Sequence, residues 1–377
     1  MDPQMLIDTT AMTDIPAPHW FVQFFKTLGF TLHSIPMNVW YAGILVAMLL
    51  AAFGPPAGKR FSARLMMQMP VIVAFGVNLG IVPLLFLQAA YGKVFYPATI
   101  LMAWPWLAIV FLVIPAYYAV YYYAFAIRKG RDALTWRHHA AGWGAAVVFF
   151  AVGFLFTHGL SLMVRVDAWP ELFMAHNQAG AALGTATNLG DPTLWPRWLM
   201  FWGLALTTTA AWMVLDSAWM GVGEGRAYRC WVRRFAPVLY TVGFAWFAIF
   251  GSWYVFGTWL PQVRDAMWSI PNVLLTLATG AAGALPLMLM WSSQTRTFSR
   301  WQATAIAAAQ VLVIGLNATS RQVVQNIELR GYYDVLAQPT SVEWGPLVMF
   351  LVTMVAGLAV IVWLVVQAVR ASANPAV

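Results

Sequence analysis

Residues 345–369 read Gly-Pro-Leu-Val-Met-Phe-Leu-Val-Thr-Met-Val-Ala-Gly-Leu-Ala-Val-Ile-Val-Trp-Leu-Val-Val-Gln-Ala-Val, with no charge between Glu343 and Arg370. A helix crosses the roughly 30 Å hydrocarbon core with about 20 mostly apolar residues, so this stretch is long enough to span a bilayer. Eight more stretches read the same way: 37–54, 65–90, 97–127, 140–162, 198–220, 236–260, 271–291 and 301–320. Transmembrane barrel strands would be about ten residues long and would alternate polar with apolar, which these do not. Lipid offers no partner for open backbone groups, so the spans are helices. The expected fold is an all-α, polytopic membrane bundle of nine transmembrane helices.

The composition agrees. Of 377 residues 61% are hydrophobic and only 9% charged, where a soluble domain carries about 25%. A soluble enzyme, a disordered chain and a disulfide-stapled secreted domain are thereby excluded. Cys230 is the single cysteine, so neither an intrachain disulfide nor a cysteine metal cluster can form.

The basic residues set the orientation. Lys59, Arg60, Arg64, Arg128, Lys129, Arg131, Arg137, Arg226, Arg229, Arg233, Arg234, Arg296, Arg300 and Arg370 fall on one side of the nine spans; Lys26, Lys93, Arg165, Arg197, Arg264, Arg321 and Arg330 fall on the other. The richer side is the inner one, which places the N-terminus outside and the C-terminus inside. The net charge of +8 is mostly this topology signal, and no basic face for nucleic acid is apparent. Residues 1–36, with Trp20-Phe21-Val22-Gln23-Phe24-Phe25-Lys26, read as an outer interfacial amphipathic segment. Residues 37–377 read as one nine-helix membrane domain. Trp104-Pro105-Trp106 and Tyr117-Tyr118 sit near span ends, where aromatic rings anchor at the interface.

This topology sorts the polar residues by side. His33 stands at the outer mouth of the first span, His158 near the outer end of the fourth, and Met200 begins the fifth. His176 sits in the long loop 163–197, Arg321 and Gln322 end the eighth span, and His138 and His139 lie on the inner edge. Asp216 is the one acidic residue deep in a span. An intramembrane carboxylate is either a proton or ion site or an Arg-paired group. His33, His158 and Met200 share a depth on three helices. Each supplies an atom that can ligate haem iron, and each also has an ordinary structural reading. No phosphate-cradling Gly loop, His-Glu-x-x-His or Cys-x-x-Cys-His occurs, and no hydrolytic triad is credible. Transport would need a continuous polar path, toward which only Asp216, Asn78 and Asn317 are evident.

Four stretches together resemble the large, haem-bearing subunit of the cytochrome bd superfamily. They are Thr31-Leu32-His33-Ser34, then Ala74-Phe75-Gly76-Val77-Asn78-Leu79-Gly80 followed by Phe86-Leu87-Gln88, then Pro196-Arg197-Trp198-Leu199-Met200, and finally Ser320-Arg321-Gln322-Val323-Val324. Their order, side and span numbers match across roughly residues 30–325. The resemblance implies a multi-pass protein of the bacterial inner membrane and a b-type haem. It makes His33 the retained axial ligand, with His158 or Met200 as second ligand, and gives Arg321 to the haem propionates. The departures are specific. Met200 stands where the family has a histidine, Val273 where it has a ligand methionine, and Ala318 where it has a ligand glutamate. Acidic residues are missing from Ala103 through Tyr123, and the long quinol loop shrinks to residues 261–270. The resemblance therefore implies a subunit of a respiratory electron-transfer complex, not a complete quinol:oxygen oxidase by itself. Its implied partner is a c-type cytochrome or another redox subunit. The alternative is a haem-free structural or anchoring subunit.

Overall fold

The computed structural model of the chain describes residues 3–8, 10, 14–130, 133–293 and 295–373. Arg131, counted above with the inner charges, lies outside the described residues, as do positions 1, 2, 9 and 11–13 of the N-terminal segment. The helices in chain order are α1 (Pro3–Asp8), α2 (His19–Phe53), α3 (Pro56–Leu101), α4 (Ala103–Arg128), α5 (Trp136–Val164), α6 (Trp169–Ala175), α7 (Leu194–Trp219), α8 (Gly225–Ser252), α9 (Pro261–Met267), α10 (Asn272–Ala281), α11 (Ala284–Trp291), α12 (Arg300–Leu329) and α13 (Trp344–Ala373). A two-stranded hairpin, β1 (Asn177–Gln178) with β2 (Ala181–Ala182), sits in the loop before α7. Nine of the described helical stretches are long and apolar enough to cross a membrane, α10 and α11 together making the seventh. The nine-span, all-helical reading holds.

Several boundaries move. Residues 19–36 are not a separate element: α2 runs unbroken through Pro36, and 35 residues at about 1.5 Å each exceed the hydrocarbon thickness. Phe21, Val22, Phe25 and Lys26 on this first half are buried against the bundle. α3 continues past the expected turn at 91–96, with one non-helical residue at Tyr91, and ends at Leu101. α12 reaches Leu329, more than two turns beyond 320. Charged residues made these stretches look like loops. They stay helical because the bundle's own packing buries them.

Local signals fix the ends. Pro56 and Pro261 occupy first-turn positions, where a missing N–H costs nothing. Ser299 and Gln302 form a reciprocal capping box at the start of α12. His138, expected as a solvated edge, accepts the Thr135 backbone N–H through Nδ1 at 3.0 Å and so caps α5.

The core has two halves. Around Met48, Leu65, Met69, Tyr123, Met213, Tyr228 and Tyr240 it fills the end carrying Arg60, Arg64 and Arg229, called here the basic end. Around Phe21, Leu87, Val94, Phe95 and Trp169 it fills the opposite end. α7 and α8 cross backbone to backbone: a Cβ on Gly203 would lie 2.6 Å from the Phe247 nitrogen. α13 is largely exposed and attaches through Leu347, Phe350, Leu351 and Met354.

Candidate functional site

Asp216 is fully buried near the basic end. Its carboxylate accepts two hydrogen bonds from Arg64 at 2.8 and 3.0 Å, one from Gln68 at 2.7 Å and one from Tyr228 at 3.1 Å. Arg64 also pairs with Glu224 at 3.1 Å. A buried carboxylate with four donors is the Arg-paired reading, and it ties α3, α7 and α8 together at the basic end.

The opposite half of the bundle holds a partly open cavity of about 890 Å³, a volume in the range of large-ligand sites. Its walls come from α2, α3, α4, α5, α7, α8, α10 and α12, and most are apolar. α8 opens into a π-helical turn, Trp253–Thr258, where it borders the space. Such turns recur at functional positions.

His33, Met200 and Arg321 all line this cavity. The His33 ring is held from behind: Nδ1 lies 2.8 Å from the Gly76 carbonyl oxygen, which only accepts, so Nδ1 carries the proton. That tautomer leaves Nε2 with a free lone pair, the arrangement found in metal-binding histidines. Gly80 makes room for the ring, since a Cβ there would come within 2.8 Å of His33 Cε1, while Gly76 leaves space for the neighbouring Trp40 ring. Met200 also lines the cavity and packs its sulfur beside Gly251.

Arg321 stacks over Phe30 at 4.5 Å from the ring centroid, and has no hydrogen bond or ion pair among the described residues. A partly buried guanidinium without an ion pair is a less favourable arrangement than a paired one. Arg197, by contrast, is ion-paired with Glu328 and lies over the Tyr254 ring. Four residues of the wall also carry buried polar atoms without a hydrogen-bond partner: Arg197 Nε, Trp259 Nε1, Gln325 Nε2 and the Tyr41 hydroxyl.

His158 stands apart from this group. It is buried, is not among the wall residues, and its Nε2 accepts the Asn188 backbone N–H at 2.6 Å. Its Nε2 lone pair is therefore engaged in holding the long loop. Asp191, in that loop, accepts from Ser161, Arg165 and Thr193. Val273 and Ala318 supply no ligand atom, and no group of three or more His, Cys, Asp or Glu side chains suited to a metal ion occurs among the described residues.

A second acidic residue, Glu328, is helical and largely buried near the end of α12, beyond the span expected at 301–320. Its side chain, 9% exposed, lies against Arg197. The signal was present in the sequence. Asn317, Arg321, Val324, Gln325 and Glu328 recur at three- and four-residue spacing and all face the cavity.

A b-type haem fits this donor set: an apolar space, one imidazole with a free nitrogen, one thioether and an uncompensated guanidinium. No family model matches the chain, and no curated protein matches it in sequence. Among solved structures it is similar to the bd oxidase from Geobacillus thermodenitrificans, at 13% identity with a TM-score of 0.67. The match covers 95% of this chain and 99% of that chain, so neither carries a large unmatched domain. The shared feature is the fold.

Proposed function

We propose that the chain is a cytochrome-bd-like integral membrane subunit of a respiratory electron-transfer complex, holding one b-type haem in this cavity. The observation that carries the reading is the convergence of His33, Met200 and Arg321, from three helices, on one apolar space. The bd-oxidase fold supports it.

When bound, the haem supplies a one-electron couple. The chain's own residues do the rest. His33 would hold the haem iron through Nε2, its ring fixed by the Gly76 carbonyl. Met200 would supply a thioether sulfur to the same iron, and His158 is left to brace the loop. Arg321 would pair with a haem carboxylate, compensating both charges in a medium that solvates neither. The apolar walls exclude water. Electrons pass at the end bearing Arg165, Arg197 and Arg264, exchanged with a c-type cytochrome or another redox subunit. Quinol is not the donor in this reading, because residues 261–270 hold only the two-turn α9 and its flanks. The protein lies in a bacterial inner membrane with that end outward, following the charge asymmetry.

The second reading, a haem-free anchoring subunit, is favoured by Val273 and Ala318, where the resembling family has ligands. An optical spectrum and pyridine haemochrome of the purified chain, with mass spectrometry of co-purifying subunits, separate the two. The haem reading predicts a Soret band that His33→Ala removes. A colourless protein within an otherwise active complex would establish the anchoring role.

A further inference from the structure

The part of the cavity wall that α12 supplies carries the polar side chains Asn317, Ser320, Arg321, Gln325 and Glu328. Two of them are engaged within the protein. Glu328 is ion-paired with Arg197. Gln325 turns its Oε1 to the buried Lys26, whose Nζ donates to it at 3.2 Å and to Gln322 Oε1 at 2.5 Å, and its Nε2 is sealed in packing. Asn317, Ser320 and Arg321 make no side-chain hydrogen bond or ion pair among the described residues. They are not sealed in. Asn317 is only 8% exposed, yet both of its carboxamide atoms keep open surface on the cavity wall.

Helix geometry gathers the three. Residues three and four apart are neighbours on a helix surface, so Asn317 is flanked by both Ser320 and Arg321. A long helical side chain leans back over the turn before it, which carries the Arg321 guanidinium toward Asn317. Phe30 of α2 takes one face of that guanidinium, 4.5 Å from the ring centroid. The five N–H donors lie in the guanidinium plane, so a contact with its face leaves them free.

A carboxylate is the group this turn suits. It accepts at about four lone-pair sites, and a bidentate guanidinium uses two of them. In an apolar cavity without water the other two need donors as well, and an amide NH2 and a hydroxyl stand beside the cation.

We infer that this turn of α12 is a three-donor carboxylate site: Arg321 takes the group in a bidentate pair, and Asn317 Nδ2 and Ser320 Oγ donate to its remaining lone pairs. The inference rests on the haem reading above for the source of the carboxylate, a propionate, and it adds Asn317 and Ser320 to the site. A fatty acid would present the same group on an apolar chain to the same partly open space, and the probes below separate the two sources.

Binding is measured on the full-length protein, stripped of bound haem, with haemin, haemin dimethyl ester, palmitate and methyl palmitate. The wild type should bind haemin more tightly than its diester, which has no carboxylates. Asn317→Leu, close in volume, should weaken haemin by about tenfold and leave the diester unchanged. Ser320→Ala should show the same selectivity with a smaller loss. Asn317→Asp, which gives Arg321 a carboxylate of the protein's own, should weaken haemin more than Asn317→Leu does. Equal losses for haemin and diester in these variants, or no loss of haemin in any of them, would overturn the site. So would a wild type that binds haemin and diester equally, although that result leaves the haem reading in place. A wild type that takes up palmitate but not methyl palmitate or haemin, with the same dependence on Asn317, would keep the carboxylate site and remove the haem reading instead.

Discussion

The imidazole of His33 shows how little space separates a placed ligand from a displaced one. Gly80 sits so close that Gly80→Val must push the ring off the Gly76 carbonyl. The expected outcome is loss of most bound haem with a small change in melting temperature, read from haemochrome content and thermal unfolding in parallel. Asp216 makes the opposite kind of prediction. Asp216→Ala leaves Arg64 buried without its bidentate partner and should cost about 3–5 kcal/mol. The double variant Arg64→Met/Asp216→Ala should cost less than the single one, which equilibrium unfolding in detergent would reveal. In the loop outside the spans, the hydrogen bond from Arg165, with its charge, holds the Asp167 carboxyl below its ordinary 3.8 against the opposing effect of burial. A carboxylate depressed on folding stabilises above its unfolded value, and that contribution disappears as pH falls through the depressed one. Limited proteolysis of loop 165–193 should therefore accelerate only below about pH 4. At this scale the sequence exposed His33, Met200 and Arg321 but not their company. Glu328 and Lys26 were hidden because charge reads as solvent exposure until a neighbour to pair with, or an amide cage, is known.

Helix ends explain most of what was missed. Apolar windows locate spans reliably, since only helices satisfy their backbone in lipid, yet they stop where charges begin. α2, α3 and α12 each run past that point, and their extensions carry Lys26, Tyr91 and Glu328. Hydropathy does not register those three residues as parts of helices. The small residues 278–284 fall at the break between α10 and α11, where Gly283 packs against Phe244. The tightest crossing lies elsewhere, at Gly203 and Gly243 between α7 and α8. Gly243→Ala places a methyl 2.9 Å from the Thr207 nitrogen. It should destabilise the protein by about 1–3 kcal/mol and shift Met200, whose sulfur rests on the same pair of helices. Thermal unfolding and the haem spectrum check the two effects separately.

Across the whole molecule, the two halves of the bundle differ. The basic end is closed by the Arg64–Asp216–Glu224 network, while the opposite half holds the open space, its unmatched donors and the loop braced by His158 and Asp191. The nine-span architecture was legible in composition and periodicity. The orientation rests on where twenty-one basic residues fall, and fusions of a cytoplasm-active reporter to Val377 should be active while periplasm-active ones are silent. The fold is shared with a bd oxidase at 13% identity, a distance at which the scaffold persists and the ligands need not. The central claim is thus about ligands, and the haem-to-chain ratio of the purified protein, measured by pyridine haemochrome for wild type, His33→Ala and His158→Ala, tests it most directly. The account predicts one b-type haem per chain, lost with His33 and retained with His158. A chain purified intact with no haem, or one whose haem survives His33→Ala, would contradict it.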